Sequence, residues 1–274
     1  MTRYATPPGG LPPQSKTLDE RAVFTESYAF IPADTMRDIV TSFLPHWKNT
    51  RAWIIARPMT GFSETFSHYI TEVGPGGGST RPDDNPKAQS VLFVVAGAAE
   101  ITLMGQAHSL TAGSYVYIPA GADWTFRNIS DVPATFHWIR KAYQAADGVA
   151  LPQPFITHDD NATVIEMPET DGKWSTSRFV EPEDLRHDMH VNIVNFLPDG
   201  CIPFMETHVM EHGLYVLEGT AKYRLNQDWV EVGPGDYMWL RAFCPQACVA
   251  TGDGPFRYLL YKDVNRHMPL DLCP

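Results

Sequence analysis

Two stretches of this chain repeat 122 residues apart. VLFVVAGAAEITL at 91–103 matches GLYVLEGTAKYRL at 213–225, and GSYVYIPAGADW at 113–124 matches GDYMWLRAFCPQ at 235–246. Position 213 lies 122 beyond 91, and 235 lies 122 beyond 113. One offset shared by two separate matches marks a duplicated structural unit. Each copy runs an apolar segment into a glycine (Gly97, Gly219), crosses a polar hairpin and resumes at Gly-Ser-Tyr or Gly-Asp-Tyr. Alternation in YVYIP and YMWL predicts strands with one buried face. The expected fold class is therefore all-β, with two small antiparallel β-barrels in tandem.

At 274 residues the chain is long enough for two domains of about 100–150 residues, each with its own core. Residues 1–20, rich in Pro and Gly, are expected to form an extended N-terminal arm. The first barrel is expected over 21–143, with AWIIARPM and FSHYITEV as opening strands. GPGGGSTRPDDNPKAQS, from 74 to 90, is expected to be a long loop, and with no helix after it this is not a phosphate cradle. A Pro-containing linker is expected over 144–175 and the second barrel over 176–274, with YLLY as its closing strand.

A formal charge of −11 argues against nucleic acid or an anionic membrane as partner. No apolar run is long enough for a spanning helix, and no signal peptide is expected. The four cysteines, Cys201, Cys244, Cys248 and Cys273, include no CxxC pair, so free thiols in a reducing, cytoplasmic setting are expected. Cys244 and Cys248 flank Gln246 and are expected to serve packing.

The chemistry concentrates between Glu206 and Gln246. Side chains at i and i+2 of a strand share a face, so Glu206 and His208 reach one point. His212 follows a short kink, and Gln246 approaches from a strand alongside. Two imidazoles, a carboxylate and an amide oxygen suit a divalent first-row metal such as manganese or iron, with positions left for water or substrate. In DMHVNIVNFLPDG (188–200), His190 and Asn192 alternate with apolar residues, and cavity-facing and outward-facing placements are equally compatible with the pattern. In RYLLYKDVNRHMPL (257–270), alternation puts Tyr258, Leu260 and Lys262 on one face. A lysine facing an apolar interior is costly without an anionic partner or a function. The histidines at 46, 68, 108, 137, 158, 187 and 267 have no companion at ligand spacing.

These residues resemble the cupin superfamily, and the duplication resembles a bicupin, with jelly-roll-like barrels. The family's metal motif of His-x-His, Glu and a distant His falls here on Glu206, His208, His212 and Gln246. In the first copy the matching positions are Asp84, Pro86, Ser90 and Trp124, which cannot hold a metal, so one barrel is expected to be catalytic and the other structural. ETHVMEHGLYVLEG, LNQDWVEVGPGDYMW and YLLYKDVNR together resemble the (S)-ureidoglycine aminohydrolase family. That resemblance implies hydrolysis of (S)-ureidoglycine to (S)-ureidoglycolate and ammonia in purine (allantoin) catabolism, and a Mn2+ cofactor on Glu206, His208, His212 and Gln246. It also implies substrate contacts from Tyr223, Tyr258 and Lys262, and a homo-oligomer. Glu206 and Lys262 are the expected catalytic groups. The alternatives are another metal cupin, such as a dioxygenase or an isomerase of small acids, and a non-catalytic bicupin.

Overall fold

The computed structural model describes residues 21–33, 35 and 42–267; the expected arm at 1–20 lies outside them. Among the described residues twenty strands run in chain order: β1 (Val23–Phe24), β2 (Tyr28–Ile31), β3 (Trp47–Ala56), β4 (Phe66–Ser79), β5 (Ala88–Ala96), β6 (Ala98–Leu103), β7 (Gln106–Thr111), β8 (Ser114–Ile118), β9 (Trp124–Arg127) and β10 (Ala134–Ala142). They continue as β11 (Phe155–His158), β12 (Thr163–Glu166), β13 (Trp174–Arg178), β14 (Met189–Phe196), β15 (His212–Glu218), β16 (Ala221–Leu225), β17 (Asp228–Val232), β18 (Tyr237–Leu240), β19 (Gln246–Ala250) and β20 (Phe256–Asp263). A short 3-10 turn at Asp159–Asn161 separates β11 from β12.

The duplication is carried by the pairing. β5 pairs antiparallel with β8 and β10, and β10 with β4. β15 pairs antiparallel with β18 and β20, and β20 with β14. In both copies the first strand ends in a glycine of positive φ, Gly97 at 75° and Gly219 at 74°. A Cβ there would lie 2.4 Å from the Pro133 carbonyl oxygen, or 2.1 Å from that of Pro255. Both the left-handed backbone and the close approach require glycine, which explains why it recurs at the repeat offset.

Three apolar cores follow. One fills the second barrel between its two sheets, with Phe196, Leu214, Val216, Tyr223, Cys248, Phe256 and Tyr258. One fills the first barrel, with Val94, Ile101, Trp124, Phe126, Phe136 and Trp138. The third lies between the barrels, where Val91, Phe93, Tyr115, Tyr117 and Ile139 meet Val191, Ile193, Tyr237, Trp239, Leu259 and Tyr261. This third core corrects the expectation of one buried face. Both β8 and β18 are buried along their whole length, because the face turned away from each barrel's interior packs against the other barrel.

The boundaries also differ from those expected. β1 and β2 do not join the first barrel. β2 pairs with β18, with Ile31 opposite Tyr237 and Tyr28 opposite Leu240, so residues from 21 to 31 extend the second barrel's sheet. The expected linker is partly strand: β11 pairs with β8 of the first barrel and β12 with β13 of the second. The expected 74–90 loop is shorter, since β4 continues to Ser79 and β5 starts at Ala88. Gly78 explains this, because it pairs with Arg127 of β9 and a Cβ would stand 1.9 Å from the Phe126 carbonyl oxygen. The glycines there admit a close strand crossing rather than a turn.

Candidate metal centre and substrate cavity

The segment entering β15 and the first residue of β19 meet at the mouth of the second barrel. Glu206 and Gln246 form an isolated antiparallel bridge through reciprocal backbone hydrogen bonds of 2.9 and 2.8 Å. His208 follows two residues after Glu206, and its carbonyl accepts from the Phe243 amide at 2.6 Å. His212 opens β15 and is buried, its ring centroid 4.6 Å from that of His208. Gln246 is buried as well, and the Tyr223 hydroxyl donates to its Oε1 at 2.9 Å. The four residues expected to be ligands are thus brought together, with Tyr223 fixing the amide.

Among the described residues no three His, Cys, Asp or Glu side chains already stand as a metal-holding cluster. The Glu206 carboxylate is turned sideways: Oε1 lies 3.2 Å from His208 Nε2, and Oε2 accepts from Gln246 Nε2 at 3.3 Å. The residues nevertheless fit a divalent ion. His212 Nε2 is buried with no hydrogen-bond partner, and burial, followed by the neighbouring His208 and Lys262, pushes its pKa well below the ordinary value. A neutral imidazole with an unused ring nitrogen beside a carboxylate and an amide oxygen is a ligand set. The contact between Glu206 and His208 joins two atoms of that set and would have to open.

The interior face of β20 is as alternation predicts. Tyr258 belongs to the second-barrel core with Leu260 packed against it, while Leu259 and Tyr261 belong to the core between the barrels. Lys262, half-buried on the Tyr258 side, is in register with His212 on one neighbouring strand and His190 on the other. Its ammonium is pushed down from the lysine value by burial first and then by Arg178, with Glu206 and Asp263 opposing. Tyr223 and Tyr258 meet edge to face at 6.0 Å. Burial raises both phenols well above their ordinary value, so each remains a hydroxyl donor. Cys244 and Cys248 sit in the barrel core, as expected of packing residues.

The first copy's matching positions serve packing. Ser90, in β5 where His212 stands in β15, accepts from Trp138 Nε1 at 3.0 Å. Trp124, first in β9 as Gln246 is in β19, packs with Trp47 and Trp138 at 6.4 and 5.7 Å between centroids. Asp84 pairs instead with Arg81 and His46. Indole rings occupy the space that a metal and substrate would need.

The comparisons with known proteins fit this geometry. The cupin domain family matches residues 69–140 and 192–261, once in each barrel. A probable (S)-ureidoglycine aminohydrolase of Oryza sativa subsp. japonica is 33% identical over 248 residues, covering 90% of this chain and 76% of that protein. The chain is a bicupin of the (S)-ureidoglycine aminohydrolase family. The (S)-ureidoglycine aminohydrolase of Escherichia coli (strain K12) is 29% identical over 85% of this chain and 87% of its own. A crystal structure from Pseudomonas aeruginosa, of a protein described as glyoxylate-induced, superposes with a TM-score of 0.91 at 60% identity over 100% of both chains.

Sequence reasoning left His190 open and did not single out Arg178. His190 is 3% exposed and shares the inward face of β14 with Val194 and Phe196. Burial, then Lys262 and Arg178, push its pKa down to about 4. Its folded pKa lies below the unfolded value of about 6.5, so the unfolded chain binds the extra proton between these values and stability falls as pH drops through them. The difference corresponds to roughly 3 kcal/mol. We expect the wild-type melting temperature to fall relative to that of His190→Asn between pH 7 and pH 4.5. Parallel pH profiles of the two proteins would refute this.

Proposed function

We propose that this protein hydrolyses (S)-ureidoglycine to (S)-ureidoglycolate and ammonia, with a divalent metal, manganese by preference, held by Glu206, His208, His212 and Gln246. The observation that carries the reading is the convergence of those four side chains with Lys262, Tyr223 and Tyr258 at one end of one barrel, in a chain whose relatives are (S)-ureidoglycine aminohydrolases. The reaction exchanges a C–N bond to the substrate's amino group for a C–O bond from water, and one water proton leaves with ammonia. Bound at these residues, the metal supplies Lewis-acid polarisation and a fixed point for orienting the reacting carbon.

The remaining work belongs to the chain. Tyr223 holds the Gln246 amide in place. His212 stays neutral, as a ligand must. Tyr258, kept protonated by burial, offers a hydroxyl to a substrate oxygen. Lys262, whose ammonium is destabilised by burial and by Arg178, is suited to giving a proton to the departing amine. Glu206, one of the two acids that act on Lys262, can accept the proton taken from water. Leu214 and Leu260, packed with Tyr258 in the barrel core, limit bulk water.

Exposed Phe204, Met205, Val209 and Phe243 rim the mouth and support assembly into a homo-oligomer. The Glu/His/His/Gln set, with an amide and a carboxylate where the cupin motif has histidines, counts against a dioxygenase. Among the described residues no helix is long and apolar enough to cross a membrane, and a cytoplasmic setting is part of the proposal. The deciding assay couples allantoate amidohydrolase, which generates the unstable substrate, to ammonia release and chiral analysis of the product. Enzyme-dependent ammonia with retained (S)-ureidoglycolate is expected, and its loss on chelation with recovery on adding Mn2+. Ammonia release equal to the spontaneous rate would overturn the reading.

A further inference from the structure

The inward face of the second barrel continues past Lys262 onto strands that the metal centre does not use. Along β14, His190 and Asn192 share the inward face with Val194 and Phe196 of the second-barrel core. Register places His190 opposite Lys262, and Lys262 opposite His212. These three side chains therefore form one row across three adjacent strands, as directly opposed residues do. On β13, Trp174 belongs to the same core, so alternation turns Thr176 and Arg178 inward too. Ser177 pairs with Ile193, which sets Arg178 beside Asn192, one strand beyond the row and next to His190.

The polar atoms in this corner are unspent. His190 Nε2 and Arg178 Nε are both buried with no hydrogen-bond partner. Buried polar groups in folded proteins are almost always partnered, and exceptions call for an explanation. Arg178 and Lys262 are both cationic, and register sets Lys262 opposite His190 and Arg178 on the strand beyond it. Glu206 lies at the opposite, metal end of the row, and the acid acting on Arg178 is the exposed Glu181. Asp263 and Glu206 act on Lys262 and Asp184 on His190, yet none of them hydrogen-bonds the two unpartnered nitrogens, so two cations and an unpaired ring nitrogen describe a site for an anionic oxygen pair. A guanidinium is the side chain best shaped for that task.

We propose that Arg178 and His190 form a carboxylate subsite that fixes the orientation of the substrate along the row. This rests on the ureidoglycine reading for the identity of the substrate. The carboxylate accepts from the Arg178 guanidinium and from His190 Nε2–H. The reacting carbon then lies over Lys262, and the leaving amine points to the metal end. With the carboxylate and the amine so assigned, only the ureido group and the hydrogen remain to be placed.

The test uses the full-length, Mn2+-loaded protein and the variants Arg178→Met, Arg178→Lys and His190→Asn. Arg178→Met is expected to raise KM for (S)-ureidoglycine by about 10- to 100-fold, the loss of a charge-assisted contact, a larger factor than any change in kcat, which Arg178 reaches only through the Lys262 ammonium. Arg178→Lys recovers part of the loss, and His190→Asn raises KM by a smaller factor. Glycolate, a carboxylate without a ureido group, should raise the wild-type melting temperature and fail to raise that of Arg178→Met, whereas methylurea should act equally on both. An unchanged KM and an unchanged glycolate response in Arg178→Met would overturn the subsite. If the wild type released no ammonia from ureidoglycine, the functional reading would fail, while the glycolate shift would still decide whether Arg178 binds a carboxylate. Near-UV circular dichroism separates either result from misfolding, and Arg178→Lys stands in if Arg178→Met does not fold.

Discussion

Lys262→Met lowers ammonia release from (S)-ureidoglycine by about a hundredfold or more, the usual scale for losing a positioned acid or base, while metal content per chain stays at the wild-type level. Lys262 is not one of the four residues expected to hold the metal. It stands between them and the Arg178 corner, opposite His212 and His190 on its two neighbouring strands. Methionine keeps most of the apolar stem and removes the ammonium, so packing against Leu260 and Tyr258 is preserved. The sign of the pH effect follows from the environment. Burial and Arg178 lower the lysine's proton affinity, so the alkaline limb of kcat/KM should lie below the ordinary lysine value of 10.5. In Lys262→Arg that limb should vanish from the accessible range, since a guanidinium does not deprotonate there. Ammonia release near wild type in Lys262→Met, at equal metal content, would remove Lys262 from the chemistry.

Much of the second barrel was legible because strands expose their sidedness in sequence. The period of two along RYLLYKD places Tyr258 and Lys262 inside and Leu259 and Tyr261 against the other barrel. The shared offset of 122 foretells β5 and β15 as equivalent strands, and with them Ser90 and Trp124 as the metal-free counterparts of His212 and Gln246. What alternation cannot express is which sheet a strand joins. YAFI at β2 is buried on both faces and reads as a continuous apolar run, the mark of a strand covered on each side. Its partner, β18, lies more than 200 residues away, and nothing local names it. The same limit hid Arg178. WSTSR alternates like any exposed strand, and only the inward position of Trp174 and the pairing of Ser177 with Ile193 show that its charged end turns into the cavity.

Why a barrel without ligands is kept at all becomes concrete at Glu211, next to His212. Its carboxylate is buried and accepts from four donors: the Glu64 amide at 2.8 Å, the Thr65 amide at 2.9 Å, the Thr65 hydroxyl at 2.6 Å and Trp239 Nε1 at 3.3 Å. Its own amide donates to Asp263 Oδ1 at 3.1 Å, and Asp263 follows Lys262. One acid therefore ties the loop between β3 and β4 of the first barrel to the segments that carry His212 and Lys262. Glu211→Ala takes the acceptor from the part-buried Glu64 and Thr65 donors and from the buried Trp239 Nε1–H, a cost of roughly 1–3 kcal/mol, which for a chain of this size lowers the melting temperature by roughly 2–12 °C. Metal affinity should fall by about 10- to 100-fold, the range seen when a residue orienting a ligand is lost. Glu211→Gln, with one carbonyl oxygen in place of two acceptors, should fall between. Calorimetry with and without Mn2+ separates the two effects, because bound metal adds stability in proportion to its occupancy. Equal melting temperatures and equal Mn2+ affinity in wild type and Glu211→Ala would mean that the second barrel organises its site without help from the first.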